Sequence, residues 1–267
     1  MGKSAWFTIK MIMAKISSRL NILCAQVPSD PPPSAREVEH LIGEDGHERL
    51  AGYVHLQDSW RFVLGRALLF HGLKTLFGVN VAKVALTPFG RPVLQNAQKL
   101  KIDFNISHAG KWVVCAFARF SQVGVDVVDV NDFDDWQELS NTILAPIEQL
   151  RVSTVESATQ QELVSRYWAV KEAVLKCAGV GLQVDPLDIN VDLCTKNSPQ
   201  VTKCPLSIAN SPKDFRVMVI NLRRNATLSV VSKNLDAAEA NFTSCVSPRI
   251  HIIPVDTVLS SFRSAAS

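Results

Sequence analysis

Residues 168–176 read Trp-Ala-Val-Lys-Glu-Ala-Val-Leu-Lys and lie in a run, 162–178, that contains no proline and no glycine. Most residues of this run favour or tolerate a helix, and a glycine follows it, so the run predicts one long helix. Trp168, Glu172 and Lys176 are four residues apart and therefore share one face of that helix. An exposed Glu–Lys pair beside a half-buried tryptophan is one interpretation of this face. The other interpretation is that Glu172 and Lys176 are a functional acid and base.

A valine-rich stretch lies upstream, where residues 122–130 read Gln-Val-Gly-Val-Asp-Val-Val-Asp-Val. Such a β-branched run predicts a largely buried strand. Alternation places Asp126 on the same side of this strand as Gly124 and Val128, and places Asp129 on the opposite side. Because a lone buried charge is costly, we expect the Asp126 carboxylate to have a partner, such as a metal ion or a helix terminus.

Two shorter blocks come earlier in the chain. Residues 104–108 read Phe-Asn-Ile-Ser-His and predict a short strand with polar groups that can hydrogen-bond phosphate, among them Ser107 and His108. Ser107 and His108 cannot form a Ser-His hydrolase pair, because neighbours in a strand face opposite ways. Residues 90–92, Gly-Arg-Pro, predict a turn.

In order and spacing, these four blocks resemble the characteristic blocks of the 4′-phosphopantetheinyl transferases. The resemblance covers roughly residues 45–195 and is to the larger, monomeric group, which includes surfactin-synthetase-type enzymes and the human broad-specificity enzyme. It implies an α+β fold of two similar α/β halves related by a pseudo-twofold axis, with the active site in the cleft between them. It also implies transfer of 4′-phosphopantetheine from coenzyme A to a serine of an apo acyl or peptidyl carrier protein, with release of adenosine 3′,5′-bisphosphate.

The resemblance also implies which residues act. Asp126 and Glu172 would bind Mg²⁺, which prefers oxygen ligands and takes one or two carboxylates, waters and substrate phosphates. Glu172, Lys176 and Asp126 would be catalytic, with Glu172 as the general base, directly or through a water. Contacts to coenzyme A would come from Arg49, Gly90, Arg91, Pro92, Asn105, Ser107, His108, Lys171 and Lys176. Lys171 lies on another helix face and is either a phosphate contact or a structural residue.

The chain departs from many members of the family at Val128. Those members carry a second acidic residue there, whereas valine cannot bind a metal and Asp129 is predicted to point away. The human enzyme resembles this chain in lacking that acid. We therefore expect a water to take the vacant metal-ligand position.

The same reasoning predicts an organisation in three parts. Residues 1–114 form the N-terminal half, residues 115–232 form the C-terminal half with the metal site, and residues 233–267 are a tail of unknown role. A helix is predicted over 58–77, capped by the side chain at position 58 or 59. The strand over 112–120 is predicted to pair with the strand over 123–130 through a tight turn.

Composition restricts the class of protein. Of 267 residues 47% are hydrophobic and 20% are charged, as in a globular protein, and the net charge of +3 gives no indication of nucleic-acid binding. No apolar run is long enough to cross a membrane, and a Gly-x-x-x-x-Gly-Lys-Ser/Thr phosphate loop is absent. The six cysteines lack Cys-x-x-Cys spacing, which favours reduced thiols in a cytoplasmic protein. The family resemblance implies a monomer. The first 29 residues lack acids, so organelle targeting is an alternative to a first strand or helix of the fold.

Two other functions fit part of the pattern. A magnesium-dependent phosphohydrolase would use Asp126 and Glu172 with water as the nucleophile. A non-catalytic module would bind coenzyme A or the carrier protein only. Loss of Asp126, Glu172 or Lys176 would indicate such a module, and all three are present. The sequence names neither the carrier protein nor the pathway.

Overall fold

Residues 20–119 form a sheet that is covered on one face by a long helix. The computed structural model describes residues 20–42, 44–80, 82–193, 199–223, 225–234 and 249–263. In this half the elements are β1 (Asn21–Gln26), α1 (Glu39–Ile42), α2 (Glu44–Ala51), α3 (Leu56–Phe77), β2 (Val84–Leu86), β3 (Pro92–Leu94), α4 (Ala97–Leu100), β4 (Ile102–Ala109) and β5 (Trp112–Arg119). Helix α3 has 22 residues and ends, as predicted, at Gly78, which adopts the left-handed conformation with φ 69°.

Residues 121–234 repeat this plan. Their elements are β6 (Ser121–Asp129), α5 (Trp136–Ile143), α6 (Pro146–Ser153), α7 (Ser157–Ala178), β7 (Asn190–Asp192), β8 (Gln200–Lys203), β9 (Phe215–Arg223) and β10 (Ala226–Asn234). Helix α7 contains the stretch 168–176, has 22 residues like α3, and ends at Gly179 with φ 74°.

The two halves share one order of elements and one strand topology. In the first half β1 pairs antiparallel with β5, which pairs with β4. In the second half β6 pairs antiparallel with β10, which pairs with β9. A short two-stranded ribbon, β2–β3 or β7–β8, follows the long helix in each half. The predicted α+β fold of two similar halves related by a pseudo-twofold axis is confirmed.

Three apolar cores stack the layers. Helix α3 packs on one face of the first sheet, and helix α7 packs on one face of the second. The third core lies between the sheets and contains Ile22 and Val114 from the first and Val125 and Leu228 from the second, all fully buried. The order of layers is therefore helix, sheet, sheet, helix. Burial of each of these aliphatic side chains stabilises the fold by about 1.5–3 kcal/mol.

The predicted pairing of the strand over 112–120 with the strand over 123–130 is wrong. Strand β6 pairs with β10 instead, over the whole length from Ser121 to Asp129. Phe120, between β5 and β6, adopts a left-handed conformation with φ 63° and donates its N–H to the carbonyl of Lys101. This turn directs the chain out of the first sheet, so adjacent strands in the sequence belong to different sheets.

The predicted division of the chain also needs correction. The boundary between residues 114 and 115 falls inside β5, and the two halves meet instead between β5 and β6. Part of the predicted tail belongs to the N-terminal half, because β11 (Arg249–Ile252) pairs in parallel with β1, and α8 (Val255–Arg263) buries Val258 against α3. Residues 1–19, where the targeting segment was predicted, and residues 235–248 lie outside the described residues.

The start of α3 differs from the prediction. The helix begins at Leu56, with His55 in the N-cap position and without a side-chain cap, so neither Asp58 nor Ser59 caps it. Asp58 lies in the first turn, where a carboxylate interacts favourably with the helix dipole.

The cysteines at positions 24, 115, 177 and 204 carry free thiols, and the other two cysteines lie outside the described residues. In the described ranges, no helix combines the length and apolarity that crossing a membrane requires.

Candidate active site

A cavity of about 390 Å³ opens where the two halves meet, beside β4, β6 and α7. The predicted residues Asp126, Glu172, His108 and Trp168 all line it. The complete lining is His108, Ala109, Asp126, Val127, Val128, Asp129, Asp132, Phe133, Trp168, Glu172 and Leu182. Four acidic residues, from the strand β6, the turn after it and the helix α7, therefore line an otherwise largely apolar cavity.

The ammonium group of Lys176 lies between the two predicted carboxylates. Its Nζ is 2.5 Å from Oδ1 of Asp126 and 3.8 Å from Oε2 of Glu172. It also donates to Oγ of Ser107 at 3.2 Å. The ammonium compensates the charge of Asp126, which is only 6% exposed. Two acids and one base thus share a site on facing elements, as the sequence predicts.

Ser107 orients Asp126 from the other sheet. Its hydroxyl donates to Oδ1 of Asp126 at 2.8 Å and accepts the N–H of Val127 at 3.3 Å. Because the hydroxyl is buried and already has these partners, it fixes one rotamer of the carboxylate. Ser107 therefore connects β4 with the acid on β6.

Side chains of β4 take the place of a missing strand beside β6. Asp103, Asn105 and Ser107 are spaced two residues apart and accept the N–H groups of residues 123, 125 and 127, at 2.8, 2.9 and 3.3 Å. These bonds satisfy the edge of β6, which the second sheet leaves without a strand on this side. The sequence analysis missed this ladder. The polar residues at alternating positions of an otherwise apolar strand were its only signal.

Gly124 allows α7 to lie directly on β6. A Cβ atom at this position would be 2.0 Å from the carbonyl oxygen of Ala173 and 2.4 Å from the amide nitrogen of Cys177. Any larger residue would push the helix away from the strand. The glycine thereby sets the distance between Asp126 on β6 and Glu172 on α7.

The environment alters the protonation of Glu172. Burial raises the pKa of its carboxyl group, the nearby Lys176 ammonium opposes this, and the Asp126 carboxylate adds to it. A carboxylate with a raised pKa is a stronger base than an ordinary surface glutamate. The carboxylate is thus suited to act as a proton acceptor.

His108 lies on the opposite side of β4 from Ser107 and is exposed. Partial desolvation lowers the pKa of its imidazole, and the charges of Arg61 and Lys176 lower it further. Arg61 is a residue that the sequence analysis missed. Its guanidinium pairs with Asp58 at 2.9 Å and donates to the carbonyl of Gly110, in the turn after His108, at 2.6 Å. No short-range sequence signal connects positions 61 and 110.

Comparison with known proteins adds to this geometry. Residues 122–230 match the family model described as the 4′-phosphopantetheinyl transferase superfamily, and residues 32–119 match the model of the N-terminal part of 4′-phosphopantetheinyl transferases. Together the two segments cover well over half of the chain. The chain belongs to the 4′-phosphopantetheinyl transferase superfamily.

Two sequence relatives agree with this assignment. The chain is 25% identical over 164 residues to a 4′-phosphopantetheinyl transferase of Bacillus subtilis. The aligned segment covers 60% of this chain and 70% of that protein. It is 31% identical over 126 residues to the L-aminoadipate-semialdehyde dehydrogenase-phosphopantetheinyl transferase of Schizosaccharomyces pombe, covering 42% of this chain and 48% of that protein. A holo-(acyl-carrier-protein) synthase structure from Bacillus anthracis overlaps with a TM-score of 0.36 at 19% identity, covering 42% of this chain and 94% of that one.

Two basic residues predicted to contact coenzyme A in this 4′-phosphopantetheinyl transferase lie elsewhere. Lys171 is 0% exposed and pairs with Glu148, also 0% exposed, at 2.6 Å. It donates to the carbonyls of Ile143 and Pro186 as well. Burial lowers the pKa of Lys171, and the Glu148 carboxylate opposes this. Of the two alternatives left open for Lys171, the structural one fits, because a fully buried ammonium cannot reach a substrate.

Arg91 likewise has no free face toward the cavity. It binds Asp103 and backbone carbonyls of both halves, that of Phe104 in the first and those of Val123 and Cys177 in the second. The prediction of a phosphate contact does not fit this position. Gly90 holds the turn with φ 78°, and Pro92 begins β3. Asn105 is buried and serves the ladder to β6 rather than the cavity.

Arg49 lies on α2 and is outside the cavity lining. Its Nε donates to the hydroxyl of Tyr53, and its guanidinium stacks over the ring of Phe62, 5.2 Å from the centroid. The side chain is exposed and charged, so it can serve a ligand that extends beyond the cavity. Its contact with coenzyme A stays a prediction.

The sequence analysis placed Asp129 on the opposite side of the strand from Asp126, but both residues line the cavity. Val128, where the family resemblance predicts a second acid, is 3% exposed, and Asp129 beside it also lines the cavity. The strand ends at Asp129, whose Oδ1 accepts the N–H of Asn131 at the start of a short 3₁₀ turn. Strict alternation no longer applies at a strand end, so both neighbours border the same space.

The donor set fits a hard divalent cation. The described residues contain no cluster of three or more His, Cys, Asp or Glu side chains that would hold a metal by themselves. Asp126 and Glu172 supply two carboxylates beside an open cavity, which is the ligand set that Mg²⁺ takes when waters and substrate phosphates complete its shell. Lys176 bridges the carboxylates in this structure.

Proposed function

We propose that this protein transfers the 4′-phosphopantetheine group of coenzyme A to a serine of an apo acyl or peptidyl carrier protein. The observation that carries the proposal is the arrangement of Asp126, Lys176 and Glu172 around a cavity between two similar halves. The family assignment and the transferase names of its relatives support it.

The reaction balances as a substitution at phosphorus. The carrier serine oxygen forms a bond to the β-phosphorus of coenzyme A, and the bond from that phosphorus to the bridging oxygen breaks. Adenosine 3′,5′-bisphosphate leaves with the bridging oxygen, and the serine proton passes to a base. Glu172 is the base that we propose, directly or through one water, because burial raises its pKa and it borders the cavity.

Asp126 and Glu172 would hold Mg²⁺ in this proposal. When bound, the ion would offset negative charge on the pyrophosphate oxygens. Ser107 keeps the Asp126 carboxylate in one orientation through its 2.8 Å hydrogen bond. This orientation makes the acid a preformed ligand rather than a mobile one.

Lys176 and His108 would bind the phosphates. Lys176 is already beside both carboxylates and is 28% exposed, so its ammonium can turn from Asp126 to a phosphate oxygen. His108 lies at the cavity rim, with Arg61 near it. The charge of Lys176, and that of His108 once a bound phosphate raises its pKa, would offset the negative charge of the substrate.

The proposal includes a monomeric, cytoplasmic enzyme. Both halves of the cleft come from one polypeptide, so a second copy is not needed to complete the site. The free thiols at the described cysteines suit a reducing compartment.

Mass spectrometry of apo carrier proteins incubated with coenzyme A, Mg²⁺ and this protein tests the proposal. We expect the carrier to gain one phosphopantetheine arm and adenosine 3′,5′-bisphosphate to accumulate in equal amount. Reactions without carrier protein identify a phosphohydrolase, which would still cleave coenzyme A. Binding of coenzyme A without any change in either mass would indicate a non-catalytic module and contradict the proposal.

A further inference from the structure

We propose that Arg91 is a positioning residue that holds the two halves of the active site at a fixed distance. It lies in the turn between β2 and β3, 32 and 86 residues away from the two carbonyls of the C-terminal half that it binds. Its side chain is 9% exposed. This inference rests on the proposed transfer reaction and adds a residue that acts on it through others.

The Arg91 guanidinium binds three separate elements. Nη1 donates to the carbonyl of Cys177 on α7 at 2.8 Å. Nη2 donates to the carboxylate of Asp103 on β4 at 2.7 Å and to the carbonyl of Val123 on β6 at 2.9 Å. Only a planar fork with several fixed donors can make this set of bonds at once. One side chain of the N-terminal half thereby ties down the strand and the helix that carry the carboxylates.

Asp103 completes the clamp. Its Oδ2 accepts both the guanidinium of Arg91 and the N–H of Val123, so the two residues hold both polar backbone groups of Val123. Burial raises the pKa of Asp103, and the Arg91 charge opposes this. Without the arginine, the carboxylate would be buried with no opposite charge beside it.

The clamp lies next to the catalytic groups along both elements. Val123 is three residues before Asp126, and Cys177 is one residue after Lys176. Between them, α7 and β6 are in backbone contact at Gly124. A displacement of the helix end would therefore separate Lys176 from Asp126, and a shift of about 1 Å in such a site costs roughly 100-fold in rate.

The buried position argues against direct contact between Arg91 and coenzyme A. A phosphate would have to displace backbone carbonyls and a carboxylate, whereas His108 already borders the cavity and Lys176 lies beside two of its carboxylates. A positioning residue and a phosphate contact predict different kinetics. Loss of positioning lowers kcat, and loss of a phosphate contact present before and during reaction weakens coenzyme A binding.

Steady-state kinetics of Arg91→Lys and Asp103→Asn, with calorimetric titration of adenosine 3′,5′-bisphosphate, separate these roles. We expect kcat to fall about 10-fold to 100-fold in both variants, with KM for coenzyme A and Kd for the bisphosphate changed less than about twofold. Arg151→Lys is the matched control, because Arg151 also forms a partly buried pair, with Asp192 at 2.8 Å, but away from the cavity. It should lower the melting temperature and leave kcat unchanged.

A double variant gives a second readout. If Arg91 acts through Glu172 and Lys176, then Arg91→Lys should have little further effect on kcat in a Glu172→Gln background. Additive losses, unchanged kcat in both single variants, or a tenfold rise in KM and Kd with kcat retained would overturn the positioning role. Failure of the wild-type protein to modify any carrier would instead count against the proposed function, so the two failures are distinct.

Discussion

Lys176 and Asp126 form an ion pair with 2.5 Å between Nζ and Oδ1, across the boundary between helix α7 and strand β6. The lysine is 50 residues away in sequence, and Gly124 is what brings its helix close enough. Asp126, which we propose holds the metal, is thus neutralised by Lys176, which we propose binds a phosphate. When Mg²⁺ and coenzyme A bind, Asp126 would exchange Lys176 for the metal, and Lys176 would exchange Asp126 for a phosphate.

Replacing Asp126 should remove activity without unfolding the protein. Asp126→Ala deletes one of the two carboxylates, and the partly exposed Lys176 can turn toward solvent or Glu172 instead of being left as a buried unpaired charge. We expect no detectable arm transfer and a melting temperature within a few degrees of wild type, measured by mass spectrometry and thermal melts. Near-normal turnover with Mg²⁺ present would contradict the metal role.

Glu172 and Lys176 should give different kinetic defects. Glu172→Gln keeps one ligand oxygen but cannot accept a proton at neutral pH, so kcat should fall far more than KM for coenzyme A rises. In the wild type, the raised pKa of Glu172 in the free enzyme places the acid limb of kcat/KM above pH 4.5, and kcat/KM falls as pH drops through it. Lys176→Ala should affect both kcat and KM. Equal, small changes in the two variants would indicate a mere surface pair.

Gly124→Ala should loosen the site directly. The new methyl group would meet the carbonyl of Ala173 at 2.0 Å, and backbone at both sides cannot yield without moving the helix. We expect a loss of about 1–3 kcal/mol in the free energy of unfolding, measured by urea denaturation, and a fall in kcat. Gly52→Ala is the control, because its Cβ would have ordinary contacts at 3.5 Å. Equal effects of both substitutions would count against close packing at Gly124.

The buried pair of Lys171 and Glu148 should be structural. Lys171→Met leaves the Glu148 carboxylate buried without its partner, and such a change costs about 3–5 kcal/mol in the free energy of unfolding. The double variant Lys171→Met, Glu148→Leu should recover much of this loss. Arg166→Met, at a partly exposed pair with Glu162, should cost less than about 1 kcal/mol in the same denaturation assay. If Lys171→Met weakened coenzyme A binding but not stability, the original phosphate prediction would be restored.

His108 should take up a proton when coenzyme A binds. Its pKa lies below 6.5 in the free protein, so the imidazole is mostly neutral at pH 7, and a phosphate beside it would raise that pKa. Affinity should therefore increase as pH falls from 7 toward 6. Calorimetry in two buffers of different ionisation enthalpy measures the uptake, and His108→Gln corrects for titration of the phosphates themselves. Identical proton uptake in both proteins would exclude the histidine.

The sequence predicted the local patterns of the site well. The four-residue spacing of Trp168, Glu172 and Lys176 depends only on helix periodicity, and the structure reproduces it, whereas the predicted alternation of the strand over 122–130 fails at its end, where Asp129 lines the cavity together with Asp126. It predicted the direction of basic side chains poorly. Arg91 binds a carbonyl 86 residues away, and Lys171 binds one 28 residues away. Whether a buried base meets a phosphate, a carboxylate or a carbonyl depends on tertiary packing that no local pattern encodes.

Pairing between strands was also beyond local patterns. The strands on either side of Phe120 are neighbours in sequence and both are apolar, which favours a hairpin. Their separation into two sheets depends on which faces find partners, and the ladder from Asp103, Asn105 and Ser107 satisfies the edge that results. Polar residues at alternate positions of an apolar strand can thus indicate hydrogen bonds to the backbone of a neighbouring strand.

The return of residues 249–263 to the first sheet has a consequence for the order of synthesis. Strand β1 leaves the ribosome early, but its parallel neighbour β11 and the helix that covers α3 are translated only after the whole second half. The C-terminal half can complete its own sheet while the first sheet still has an open edge. We expect nascent chains released before residue 249 to expose β1 and to associate with one another more readily than full-length chains.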